Sequence, residues 1–214
     1  MNRRKFSAAI GSLALTKCSK VPPPVATHSL LSAKWQSRWK VPVIPEVGRA
    51  EVKENSIRLE SGAPMTVVRF DALDELGVNL AHYEVNFEAR RIEGNDFFAA
   101  LTFPIGSKDR CLSFINGGWG GGTTGLSNID HTPASDNLTA SLQRYVLGQW
   151  YGFNLMVTPE EILVRMDGRS IIRTAAQGQH FGLRPGDIEL CAPFGFASYE
   201  TVGEVRSVMI KSLS

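Results

Sequence analysis

Cysteine is scarce in this chain. Three occur in 214 residues, none of them in a Cys-x-x-Cys pair, and no His-Glu-x-x-His segment is present. No zinc site is therefore signalled. An excess of one charge is missing as well. The 23 basic and 21 acidic residues leave a formal charge of +2, and the basic surplus lies before Val41. That balance indicates no nucleic-acid surface. The apolar run from Ala8 to Leu15 is too short to cross a bilayer as a helix. Helical periodicity is nearly absent, with Asp71 to Leu80 the one good candidate for a helical turn. No repeat of solenoid or propeller length is found.

What is present in quantity is chain-breaking. The 20 glycines and 11 prolines separate short apolar segments, which points to an all-β domain. The length suits one domain, or one domain with a tail. The tail is read first. Arg3-Arg4-Lys5-Phe6 before the apolar run resembles a twin-arginine signal, so residues 1–20 are expected to direct export to the periplasm or beyond. Cys18 stands where a lipoprotein cysteine would, but Lys17 precedes it in place of a small residue. Membrane attachment is expected only if Cys18 is lipidated. Residues 21–34, with Pro22-Pro23-Pro24, read as a stiff spacer. Residues 35–214 are then the folded domain. Within it Cys111 and Cys191 lie in apolar, strand-like surroundings and read as buried free thiols.

Several strands are legible. Tyr83, Val85, Phe87 and Ala89 alternate with Glu84, Asn86, Glu88 and Arg90, which gives one core face and one wet face. Phe97 to Ile105 is more uniformly apolar, and Asn95-Asp96 supplies the turn before it. Leu142 to Val146 reads as a short strand. Tyr151, Phe153, Leu155 and Val157 alternate with Asn154 and Met156. Ile162 to Met166 and Ser170 to Arg173 flank Asp167-Gly168, a strong hairpin signal. Ile188 to Ala192, Phe194 to Glu200 and Glu204 to Leu213 complete roughly a dozen strands at the spacing of a β-sandwich.

The most distinctive stretch runs from Cys111 to Asn137. There Trp119 sits among Gly117, Gly118, Gly120, Gly121 and Gly122, which cannot cover its ring. Asp130, His131, Asp136 and Asn137 follow. A flat aromatic can stack on a sugar ring, and carboxylates and amides can bind hydroxyls. Trp119, Asn116, Asp130, His131, Asp136, Asn137 and Arg90 are accordingly the candidate ligand-binding residues. The alternatives are an edge tryptophan folded over the core and an ordinary polar turn. Calcium could be held by the same oxygens, although no cofactor or metal is signalled. Gly120 to Gly125 matches G-x-G-x-x-G formally, but Pro133 and no helix follow, so nucleotide binding is rejected. Glu84 and Glu88, with Asp130 or His131, are the candidates for hydrolytic acids. Paired with neighbouring cations, the glutamates would instead form a solvated sheet face.

The runs His82–Phe103, Trp150–Ile171 and Glu204–Leu213 together resemble the concanavalin A-like jelly-roll sandwiches. Within these they are similar to the 3-keto-disaccharide hydrolase domain family and the laminin-G-like domains. The resemblance covers about residues 35–214. It implies an all-β jelly roll of two antiparallel sheets that recognises carbohydrate, or a glycoside or 3-keto-disaccharide hydrolase, or a protein-interaction module. The polar segments usual in the hydrolases, Asn-Ser-Gly and Glu-x-Gln, are missing from the corresponding strands Phe97–Thr102 and Leu112–Asn116. The Glu-x-Asp-x-x-Glu signature of jelly-roll glucanases is absent too. Carbohydrate recognition without strong catalysis is the expectation that follows.

Overall fold

Tyr83, Val85, Phe87 and Ala89 are all buried, and the residues between them are half-exposed. In the computed structural model, which describes residues 27–43 and 48–213, this alternating stretch is the middle strand of a sheet. In chain order the strands are β1 (Thr27–Ser29), β2 (Trp39–Lys40), β3 (Ala50–Lys53), β4 (Ser56–Leu59), β5 (Met65–Phe70), β6 (Tyr83–Glu93), β7 (Ala100–Ile105) and β8 (Ser107–Gly118). They continue as β9 (Thr123–Ser127), β10 (Ser141–Leu142), β11 (Tyr151–Val157), β12 (Glu161–Met166), β13 (Arg169–Ala175), β14 (Gly195–Tyr199) and β15 (Val202–Ser212).

These strands form two antiparallel sheets packed face to face, a jelly-roll β-sandwich. The first sheet runs β13-β12-β11-β6-β15-β4-β3, with β1 added on β15. The second runs β10-β9-β8-β7-β14-β5-β2. Register follows from the alternation, because a slip by one residue would turn every apolar side chain outward. Phe153 lies opposite Phe87, and Leu155 opposite Val85. The Phe87 and Phe153 rings stack at 5.1 Å. Across the sandwich Phe87 meets Phe196 at 5.1 Å and Phe153 meets Phe114 at 5.5 Å. Burying each such ring contributes about 1.5–3 kcal/mol. The Tyr83 hydroxyl, carried deep into this layer, is satisfied: Tyr83 Oη donates to the Pro104 carbonyl at 2.6 Å.

Three expectations are corrected here. The spacer expected over 21–34 ends sooner, because β1 pairs with β15 from Thr27 onward and Leu30 and Leu31 are buried. Ile188 to Ala192 is not a strand. Asp187–Cys191 is a short 3-10 helix, laid so that Ile188 and Cys191 are buried. Residues 143–146 continue past β10 as irregular chain. The expected helical turn is a 3-10 helix at Leu73–Leu76, closed by Gly77 in the left-handed region. Cys111 and Cys191 are free and buried. Burial pushes their thiols up, to about 11 and about 12 respectively. Arg3, Arg4, Cys18 and residues 21–26 lie outside the described residues.

Candidate functional site

The inward faces of β5, β7, β8 and β14 build the core, so their alternate residues look out from the second sheet. Val67, Ala100, Ile115 and Ala197 lie on that outer face and form a second apolar cluster with Phe97, Ala134, Ile188 and Cys191. The 3-10 helix Asp187–Cys191 covers part of the face. What it leaves open is a cleft of about 460 Å³. Met65, Ser113, Ile115, Ser127 and Tyr199 make its floor, and Arg184 to Ile188 one wall. Asp96, Phe97 and Trp119 stand at the other side.

Trp119 is placed by its turn. The Gly121 N–H donates to the Gly118 carbonyl at 3.2 Å. Between them Trp119 and Gly120 have φ of +51° and +86°, the pair of positive values that a type I′ hairpin turn requires. For tryptophan this is an unfavourable conformation. Asp96 helps to fix it. Its Oδ2 accepts the Gly120 N–H at 3.1 Å, and its Oδ1 accepts the Phe97 N–H at 2.8 Å. The result is an indole 42% exposed at the rim of the cleft. The Arg184 guanidinium faces it from the opposite wall, 5.8 Å from the ring centroid, close enough for a cation–π contact. Phe97 and Tyr199, with ring centroids 5.8 Å apart, add aromatic surface below.

Of the residues expected to bind ligand, Trp119 alone lines this cleft. Asn116 is fully buried on the core side of β8, where its amide exchanges two hydrogen bonds of 3.1 Å with the Ala99 backbone. It is shut off from solvent and lies outside the cleft, so its expected place in the site is corrected. Asn137 is likewise spent on the chain. Its Nδ2 points to the carbonyls of Leu126, Thr132 and Pro133, and its Oδ1 accepts from Thr139 N and Oγ1. Asp136 accepts from Ser135 Oγ at 2.6 Å. Asp130 Oδ1 accepts the His180 N–H at 2.7 Å, and the His131 and His180 rings stack at 4.4 Å. Asp130, His131, Asp136 and Asn137 therefore shape the loop after β9. Among the described residues no group of His, Cys, Asp and Glu is arranged to hold a metal ion.

Glu84, Glu88 and Arg90 lie on the outer face of the other sheet, away from the cleft. Glu84 pairs with Lys211 at 2.9 Å. Glu88 takes a fork of 2.9 and 3.0 Å from Arg206, and Arg90 pairs with Glu204. The Arg206 fork holds the Glu88 carboxyl below its usual range. Burial alone would raise Glu84, but Lys211 and Asn86 outweigh it and the net direction is down. These glutamates are ion-paired surface residues. They share no cleft with Asp130 or His131, so the expected acid pair is not assembled. The acids that line the cleft beside Trp119 are Asp96 and Asp187. In the sequence Asp96 reads only as a turn residue, and Asp187 follows Arg184-Pro185-Gly186, whose turn composition is the one available signal.

No protein-family model matches the chain, and no curated sequence is similar to it. Solved structures share its fold. A conserved carbohydrate esterase from Shiga toxin-encoding bacteriophage phi24B superposes with a TM-score of 0.56 at 12% identity, over 88% of this chain and 97% of that one. Domain 4 of the extracellular arabinanase AbnA from Geobacillus stearothermophilus, solved with arabinotriose, gives 0.51 at 15% identity, over 87% and 91%. A sialidase gives 0.53 at 10% identity over 89% of this chain, which spans only 18% of the sialidase's length. At these identities the likeness is one of fold. The class so defined is the jelly-roll β-sandwich. The narrower resemblance to 3-keto-disaccharide hydrolases has no family match behind it.

Proposed function

We propose that the protein binds a carbohydrate in the cleft on the outer face of its second sheet. The observation that carries this reading is Trp119, a large aromatic kept partly exposed by a glycine turn at the mouth of a concave site. A pyranose has an apolar C–H face that suits a flat ring and hydroxyl edges that need donors and acceptors. Asp187 and Arg184 offer those around the cleft. The cleft volume is that of a small-molecule site, commonly about 300–1,000 Å³. The arabinanase domain with this fold, solved with a bound trisaccharide, adds support at the level of the fold. The test is calorimetric titration of the protein and its Trp119→Ala variant with a panel of neutral and acidic oligosaccharides. Loss of the stacked ring is expected to weaken binding about tenfold, with the melting temperature little changed. Undiminished binding by the variant would overturn the reading.

One observation favours glycoside hydrolysis as the second reading: Asp96 and Asp187 line a single cleft. Two carboxyl groups flanking a glycosidic bond can serve as acid and as base or nucleophile. On this reading the wild type releases reducing sugar from a bound oligosaccharide, and Asp187→Asn lowers the rate at least a hundredfold, on the order of what general acid–base catalysis provides. Ligands that bind and are recovered intact would exclude it.

A further inference from the structure

We infer that Arg91 positions Trp119 for its ligand by clamping the glycine turn from inside the sandwich. The inference rests on the carbohydrate-binding reading of the cleft. The alternation that turns Tyr83, Val85, Phe87 and Ala89 inward continues to Arg91, which is 6% exposed. Arginine is rarely buried without a partner of opposite charge. Among the described residues Arg91 has no carboxylate partner. Its Nη2 instead donates to two backbone carbonyls, Gly117 at 3.1 Å and Gly121 at 2.9 Å. Those two residues bracket Trp119.

The surroundings are fitted to that clamp. The guanidinium lies 5.3 Å from the Phe98 ring and 5.8 Å from that of Tyr145. Tyr145 Oη bonds Thr124 Oγ1 at 2.8 Å, and that oxygen accepts the Gly117 N–H at 3.4 Å. A Cβ at Gly117 would sit 2.4 Å from Arg91 Nη2, and one at Gly121 3.1 Å from Nη1. The glycines are therefore needed where the guanidinium approaches, as well as for their positive φ. A purely stabilising role fits poorly. Burial lowers the pKa of Arg91, and its Nε is buried with no hydrogen-bond partner, an unfavourable arrangement. A well-packed apolar side chain would fill the space without either penalty. What the planar Nη2 amino group supplies is a fixed angle between its two N–H donors, and so a fixed separation between the two carbonyls. That separation sets the turn, and the turn sets the indole.

The test uses Arg91→Met, which keeps the buried bulk, and Arg91→Lys, which keeps the charge on a shorter reach and without the planar amino group. Each is made with Trp119 intact and with Trp119→Phe. The difference within each pair isolates Trp119 among the chain's four tryptophans. The expected result is a red-shifted, more readily acrylamide-quenched Trp119 in both folded variants, and a loss of oligosaccharide affinity of about tenfold. Combining Arg91→Met with Trp119→Ala should weaken binding no further than Trp119→Ala does, because both act through one ring. An unchanged Trp119 signal in a folded Arg91 variant would overturn the inference, as would affinity losses that add in the double mutant. If Arg91→Met does not fold, Arg91→Lys decides on the same readouts. If the wild type binds no oligosaccharide, the cleft reading falls while the fluorescence still decides whether Arg91 sets the ring.

Discussion

Asn137 and Trp119 are both polar-tipped or aromatic residues of one loop-rich stretch, and their environments give them opposite uses. The Asn137 amide holds the carbonyls of Leu126, Thr132 and Pro133 and receives two donors from Thr139. Asn137→Ala is expected to cost about 2 kcal/mol of stability, since several chain polar groups lose their partner together. Denaturant unfolding should show that loss while oligosaccharide titration stays unchanged. Composition marked this stretch correctly as unusual, and Trp119 was legible because flanking glycines cannot cover an indole. Asn116 was not. Whether an asparagine faces the core or the solvent depends on strand register, and its pairing with Ala99 joins residues 17 apart in sequence.

At the scale of the element, period-two alternation was sufficient for β6 and β11, and Asp167-Gly168 marked the β12–β13 hairpin with both residues at positive φ. Carried two residues further, the same alternation turns Arg91 inward. The 3-10 helix Asp187–Cys191 escaped because five residues hold too little periodicity to separate it from a strand. The outer face of β6 and β15 carries a ladder of ion pairs: Glu84–Lys211, Glu88–Arg206 and Glu204 between Arg90 and Arg58. All three carboxyl pKa values are lowered from the ordinary 4.5. Their contribution to stability is therefore complete above that value and is lost as pH falls through the lower folded values. Chemical denaturation midpoints should decline below about pH 4.5, and less steeply in Glu88→Gln. A midpoint indifferent to acid in that window, or an unaltered slope in the variant, would remove the ladder from the account.

The cleft belongs to the whole molecule, which is why the sequence shows it poorly. Its lining comes from residues near 64, 96, 113, 119, 127, 184 and 199, brought together only when the second sheet forms. Asp96 and Arg184 look like turn residues until that happens. We also propose export of the full chain by the twin-arginine route, from Arg3 and Arg4. Replacing both with lysine should leave the protein in the cytoplasm, as cell fractionation would show. Unchanged export would exclude that route.

The antiparallel pairing of β1 with β15 sets Thr27 beside Lys211, at opposite ends of the described chain. Load applied between those ends acts across the β1–β15 ladder rather than along it. Its hydrogen bonds then open in succession, as a zipper does, instead of resisting together in shear. The outermost strand peels at low force, while the aromatic layer between the sheets stays closed until β15 itself is drawn away from β6.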